Sequence, residues 1–344
     1  LSDITVYAQW NKKSSNKGSS GSSSGDSNSS DNGSQSGDIA SPDDIIPALD
    51  GNKVIVSEDK VTVISTILST VDENGKITAE VTPEKMNSAI SKAVTEAGQS
   101  DSAAIVKINV EAEEDASSVE VVIPKEAVES IGNSGLESFI ISTSVAEIAF
   151  DTDALNTIAG EAENNVGITV SRVDAENLSE EARRIIGDRP IFNFIVTSGD
   201  KVISQFGGYV TLTVPYTPKA DEDINAIVIY YINAEGNLEI VKNCVYNPST
   251  GTIRFTTNHF SRYAVGYNKV NFNDVPQNAW YSEAVTFVAA RSIASGTGNG
   301  NFSPEEKLTR GQFIVMLMNA YEIAPDTDFQ DNFADAGDTW YTGY

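Results

Sequence analysis

The C-terminal quarter of the chain repeats itself. Asn271-Phe272-Asn273-Asp274 is followed by Trp280-Tyr281, and Asn332-Phe333-Ala334-Asp335 is followed by Trp340-Tyr341. The phenylalanines lie 61 residues apart (333 − 272) and the tryptophans 60 (340 − 280). A fixed period of this size marks stacked modules, each too small to bury its apolar face alone. The second copy stops at Tyr344, where its first helix is due. The chain is therefore expected to be part of a longer protein whose function lies in what the repeat binds.

Within the first copy, Ala284, Val285, Val288 and Ala289 recur at helical spacing between Trp280 and Arg291. Gly296-Thr297-Gly298-Asn299-Gly300 breaks that helix into a tight loop, closed by Phe302 and Pro304. A second helix is announced by Thr309-Arg310-Gly311-Gln312. Thr at the N-cap with Gln three residues on is a capping box, each side chain satisfying the other's free backbone N–H. Phe313, Ile314, Leu317, Ala320 and Tyr321 continue the apolar stripe.

Phe272-Asn273-Asp274-Val275, Trp280, Gly296 to Gly300, Phe302-Ser303-Pro304 and Leu308 to Phe313 together resemble an S-layer homology domain, over about Asn271 to Tyr321 with a second start from Asn332. The resemblance implies an all-α helical-hairpin repeat, usually present in threes as a pseudo-threefold bundle with binding sites between neighbouring modules. It implies non-covalent binding of secondary cell-wall polysaccharide, often pyruvylated, and a place outside the cell at the wall or S-layer of a Gram-positive-type bacterium. The family's usual Thr-Arg-Ala-Glu stands here as Thr309-Arg310-Gly311-Gln312. Gly311 is expected to weaken the first turn by roughly 0.5–1 kcal/mol relative to Ala.

The residues give this resemblance a chemistry. Arg310 stands at a helix N-terminus, where free N–H groups and the dipole favour an anion. A planar guanidinium takes a carboxylate with two hydrogen bonds, and a pyruvate ketal supplies one. The expected polysaccharide-binding residues are Arg310, Thr309, Gly296, Gly298 and Trp280. The glycines would let a sugar approach backbone N–H groups, or serve turn geometry alone. Trp280 reads first as a core anchor of its helix and second as a platform for a pyranose face.

Upstream, Ile4, Val6 and Ala8 alternate with polar or aromatic neighbours in Leu1 to Trp10, a strand pattern similar to the closing strand of a Listeria–Bacteroides repeat. Residues 11–38 are almost entirely Ser, Gly, Asn, Asp and Lys, a flexible linker spanning about 30 Å as a random coil. Residues 39–268 carry thirteen Val- and Ile-rich segments and a few helices, which predicts a β-rich body, α+β or sandwich-like, as one unit or two subdomains. The clearest helix starts at Thr82 with Pro83 at its first position and is expected to end at Gly98. The turns 233–237 and 247–251 predict a meander of adjacent hairpins from Ile227 to Tyr267. Gly207-Gly208 reads as a bend before a strand. The stretch from Val214-Pro215-Tyr216-Thr217-Pro218 to Val265 resembles a region found before the anchoring repeats of clostridial-type surface proteins, which brings no chemistry with it. Residues 269–325 then form the first repeat and 326–344 the start of the second.

Charge and composition narrow the partners. Against 23 Lys and Arg stand 49 Asp and Glu, a net charge of −26, which repels nucleic acid and anionic lipid. No apolar run reaches the roughly 18 residues of a membrane span. Cys244, alone of its type, is expected to be a small buried side chain, and His259, alone of its type, a strand-start or turn residue rather than a metal ligand. Asp326, Asp328, Asp331 and Asp335 do not make an EF-hand, because the required Gly and Glu positions hold Asp331 and Gly337. No cofactor or metal is expected. The sequence thus reads as a non-enzymatic anchored surface protein whose body is a spacer, an adhesive unit or the binder of an extracellular ligand. A glycan-acting enzyme tethered by the same repeats and a structural subunit of the surface lattice stand as alternatives.

Overall fold

The structure, a computed structural model, describes residues 44–47, 52–176, 178–326 and 339–344, with the backbone alone for 44–47. Everything below concerns the unit Ser41–Tyr344. The strand expected in Leu1 to Trp10, the linker 11–38 and the start of the second repeat at Asn332 to Asp335 lie outside the described residues, as do Asp328 and Asp331.

Two sheets form the body. With strands and helices numbered in chain order, the first sheet runs β1 (Asp44–Pro47), β2 (Asn52–Val56), β3 (Lys60–Leu68), β5 (Ala103–Glu111), β7 (Ser138–Ser142), β8 (Glu147–Asp151), β12 (Gln205–Pro215), β16 (Thr252–His259) and β15 (Val245–Asn247). The second runs β14 (Leu238–Val241), β13 (Ile227–Ile232), β17 (Arg262–Tyr267), β10 (Ile191–Ser198), β9 (Val166–Val173), β6 (Ser118–Ile123) and β4 (Lys76–Glu80), with β11 (Lys201–Ile203) paired to β10. β3, β5 and β7 are parallel neighbours, as are β4 and β6; the other pairs are antiparallel. A parallel pair needs a long crossover, and α1 (Pro83–Ser100) and α2 (Lys125–Gly132) lie in those connections.

Alternation explains the core. In β12, Phe206, Val210, Leu212 and Val214 are buried while Tyr209 faces solvent and Thr211 and Thr213 are half-buried. The buried side chains of both sheets and the helices form one continuous cluster from Val54 to Val265 that also takes in Ala290. Aromatic rings tie the sheets across it: Phe255 of β16 meets Tyr263 of β17 at 4.9 Å, and Phe150 of β8 meets Phe260 at 5.9 Å.

Several local expectations change on folding. Thr82 caps α1, its hydroxyl accepting from the Lys85 amide at 3.3 Å, but the helix runs past Gly98 and ends at Asp101, whose φ of 53° supplies the left-handed stop. Ala97 on the same turn is buried, so core packing carries the helix beyond the glycine. Both predicted turns close hairpins, β13–β14 and β15–β16, yet the hairpins lie in opposite sheets, so 227–267 is not a meander. Gly207 and Gly208 lie inside β12, at a register shift, under α3 (Thr152–Glu161). A Cβ on Gly208 would stand 2.5 Å from the Ala154 amide nitrogen. Asp151 caps α3 with one oxygen and accepts from the Tyr209 amide with the other, which locks helix to strand. His259 ends β16 rather than starting a strand. Cys244 is fully buried, its Sγ accepting from the Ile229 amide at 3.3 Å.

Candidate functional site

After β17 the chain leaves the second sheet and forms α5 (Ser282–Ala290), a nine-residue loop-side helix that buries Val285, Thr286, Ala289 and Ala290. It ends on Arg291, which is 0% exposed and has no carboxylate partner among the described residues. Its Nε donates to the Cys244 carbonyl at 2.8 Å, Nη1 to Asn225 at 2.9 Å and Phe287 at 3.2 Å, and Nη2 to Ile227 at 3.0 Å. The guanidinium also lies 3.6 Å over the Phe287 ring. Burial lowers its pKa from the ordinary arginine value, with Cys244 acting the other way. An arginine nevertheless stays charged, and four main-chain carbonyl contacts offset its desolvation. The residue fastens the C-terminal module to the body. Sequence reasoning passed over it, because its partners are backbone carbonyls that leave no residue signature.

The glycine loop is held from below by Asp274. Its Oδ1 accepts from the Phe302 amide at 2.8 Å and its Oδ2 from Ser303 at 2.7 Å, and these bonds hold its carboxyl below the usual aspartate value. The Phe272 and Phe302 rings meet edge-on at 5.2 Å, and the Asn273 amide donates to the Gly300 carbonyl at 2.8 Å. Gly296 (φ 79°) is pressed between the Asn301 carbonyl and the Phe272 ring, so a side chain there has no room. Gly298 (φ 98°) differs: a Cβ there would meet nothing within 4 Å. Gly296 therefore serves packing, and Gly298 leaves an open edge on the loop.

α6 (Arg310–Ala320) begins with the expected capping box. Thr309 Oγ1 accepts from the Gln312 amide at 3.2 Å, and Gln312 Oε1 accepts from the Thr309 amide at 2.9 Å. Arg310 is exposed and makes no hydrogen bond or ion pair among the described residues. The first-turn amides of Arg310 and Gly311 have no intrahelical acceptor. Gly311 is buried under the Tyr341 ring; a Cβ would stand 2.7 Å from it.

Trp280 is 93% exposed and touches Tyr281 edge-on at 5.5 Å, so it is not a core anchor. Trp340 and Tyr341 repeat that geometry at 5.2 Å, the sequence echo reproduced in space. Thr309 and Arg310 share one helix terminus, and Gly296 and Gly298 share one loop. Among the described residues no hydrogen bond, ion pair or ring contact joins Arg310, Trp280 and the loop 296–300 to one another. Asp274 and Arg291 were absent from the expected site; Asp274 was legible in the repeated Asn-Phe-x-Asp.

The C-terminal module is therefore two short helices bridged by an Asp-clamped glycine loop, with a cationic residue exposed at the start of the second helix. Residues 271–314 match the S-layer homology domain. This region is thus an S-layer homology domain, and the likeness to S-layer proteins puts the chain outside the cell at the wall or S-layer. It is 28% identical over 230 residues to the amylopullulanase of Thermoanaerobacterium thermosulfurigenes, covering 64% of this chain and 11% of that protein. It is 36% identical over 67 residues to the surface-layer 125 kDa protein of Lysinibacillus sphaericus (20% and 6%) and 28% over 74 residues to an S-layer protein of Bacillus thuringiensis subsp. finitimus (22% and 9%). The chain spans about a tenth or less of the length of these relatives.

Proposed function

We propose that residues 269–344 hold this protein non-covalently to an acidic secondary cell-wall polysaccharide, and that the body 39–268 is a non-catalytic spacer or adhesive unit carried by that anchor. The observation that carries the reading is Arg310: an exposed guanidinium, unpartnered among the described residues, at a capped helix N-terminus on a chain whose net charge is −26. The first-turn amide of Arg310 and the helix dipole add to the attraction for a carboxylate. A pyruvate ketal presents a planar carboxylate that the guanidinium takes through two hydrogen bonds, and the exposed Trp280 face and the open edge at Gly298 are further surfaces for sugars of the same polymer. The contact is local and works against the long-range field, so it is short-ranged and sensitive to geometry. α5 and α6 act as one helical hairpin of a repeating anchor, and the stacking of further copies completes the site.

The test is retention on purified cell walls. Arg310→Ala is expected to weaken retention by about tenfold or more, the loss of one charge-assisted pair. Chemical removal of the ketal groups is expected to have the same effect and to abolish the difference between variant and parent. Equal retention of parent and Arg310→Ala on pyruvylated walls would remove Arg310 from the mechanism.

The amylopullulanase likeness, which extends over 64% of the chain, favours a second reading: an anchor region shared with surface glycan-acting enzymes. Release of reducing sugar from wall or storage glycans by the chain itself, lost on no change in the C-terminal module, is the result that would prefer it.

A further inference from the structure

Two shallow grooves on the body meet at one saddle. One, of about 730 Å³, lies where the end of α6 and the segment after it approach β13, β14 and β16. The other, of about 610 Å³, lies on β12, β15 and β16. Both are lined by Asn243 and Thr256, so they adjoin at these two residues as one track. The saddle is fixed: Asn243 Nδ2 donates to the Thr256 carbonyl at 2.9 Å and its Oδ1 accepts from the Thr256 amide at 2.9 Å. Each groove falls within the range of about 300–1,000 Å³ usual for small-molecule sites.

The lining has a definite chemistry. Tyr209, Tyr231 and Tyr321 border the larger groove, and none of their hydroxyls has a hydrogen-bond partner among the described residues. Tyr209 is 63% exposed on a strand whose amide at that position is pinned by Asp151, so the ring is presented from rigid backbone. Tyr231 is held edge-on by His259 at 4.9 Å. The smaller groove adds the hydroxyl of Thr213, that of Thr252, which lies 2.7 Å from the Thr250 hydroxyl, and Arg254, exposed and with no ion pair among the described residues. Across both grooves the charged side chains are two acids, Glu239 and Glu322, and two bases, Lys242 and Arg254. On a chain of net charge −26, the charged side chains that line this track balance. Balanced charge disfavours polyanions and polycations alike, and ring faces beside free hydroxyls suit a polyol with apolar ring faces.

We propose that this track, which the end of α6 and residues 321–325 help to line, binds a linear, uncharged polysaccharide at a place that does not include Arg310. Stacking on Tyr209 and Tyr231 places consecutive sugar rings, and the threonine hydroxyls and the saddle amide edge take their hydroxyl groups. The body would then be an adhesive unit that grips neutral glycan while the anchor grips acidic glycan.

Affinity electrophoresis of the whole chain tests this, in gels containing xylan, mixed-linkage β-glucan or soluble starch, with alginate and chitosan as charged controls. Retardation by at least one neutral polymer is expected, weakened about tenfold in Tyr209→Ala and in Tyr231→Ala, the usual cost of losing an aromatic anchor. Arg310→Ala is expected to retain it in full, which separates this track from the anchor. Tyr209→Ala removes an exposed ring, and its circular dichroism should match the parent. No retardation by any neutral polymer overturns the proposal, as does retardation that both tyrosine variants keep or that Arg310→Ala removes.

Discussion

Gly311 shows how one missing methyl carries opposite signs in sequence and structure. Helix propensity says that Gly311→Ala stabilises the first turn of α6 by roughly 0.5–1 kcal/mol. The structure puts the Tyr341 ring where that methyl would go, at 2.7 Å from its ideal position. A flat aromatic ring on backbone cannot yield without lifting away, and overpacking costs about 1–3 kcal/mol. We expect Gly311→Ala to lower the melting temperature and to expose the segment 339–344 to carboxypeptidase; a raised melting temperature would return the position to simple propensity. Gly208 follows the same logic, since helix α3 sits against it. Sequence reads Gly311 as a weak helix turn and Gly208 as a bend before a strand, and in the structure both are contacts.

Elements in this protein are joined by main-chain acceptors more than by side-chain pairs. Arg291 draws the end of α5 onto the carbonyls of Asn225, Ile227 and Cys244, and Asn268 Nδ2 adds a bond to the Ala290 carbonyl at 2.6 Å. Replacing Arg291 by Met keeps most of the volume and leaves three buried carbonyls unpaired. Each unsatisfied buried acceptor costs about 1–3 kcal/mol, so a loss of about 3 kcal/mol or more is expected in urea unfolding. Proteolysis between residues 268 and 282 should accelerate in the same variant. An unchanged midpoint and unchanged cleavage would show that α5 holds to the body by apolar packing alone.

At the scale of the whole molecule, acidic surroundings make pH the main lever on stability. Glu222 is almost fully buried and is gripped by Arg189 at 2.5 and 2.9 Å, by the Tyr216 hydroxyl at 2.5 Å and by the Lys219 amide at 3.0 Å. Burial alone would raise its pKa, but these bonds hold it below the ordinary value of 4.5. Burial and the neighbouring carboxylate push the Tyr216 hydroxyl up to about 12. Asp274, Asp72 and Asp188 are likewise held low, by backbone amides at the first two and by Lys219 at the third. A carboxyl with a lower pKa folded than unfolded stabilises the fold above its unfolded value, and that stability fades as pH falls through the folded value. The denaturant midpoint should therefore hold from neutrality down to about pH 4.5 and drop below it. Glu222→Gln should start from a lower midpoint at neutral pH and show a shallower drop. A parent midpoint that rises on acidification would mean that relief of the net charge of −26 outweighs these carboxylates.

Local signals were enough to read much of this protein. The capping box at Thr309, the cap at Thr82, the turns closing β13–β14 and β15–β16 and the alternation along β12 each depend on residues a few positions apart, and the chain wrote them plainly. The repeat gave the module. Short strands such as β8 and β15 offered too few residues for periodicity to mark them. Which sheet a hairpin joins, whether a glycine is a bend or a contact, and whether an arginine faces solvent or carbonyls depend on partners distant in sequence. Arg291 and Arg310 are chemically identical side chains at opposite ends of α5 and α6; burial against Cys244 made one a fastener, and exposure left the other free for a ligand. Residue types and spacing determined the elements and the chemistry on offer, and only the three-dimensional packing, through long-range contacts that carry no local pattern, decided which of that chemistry is spent inside and which remains outside.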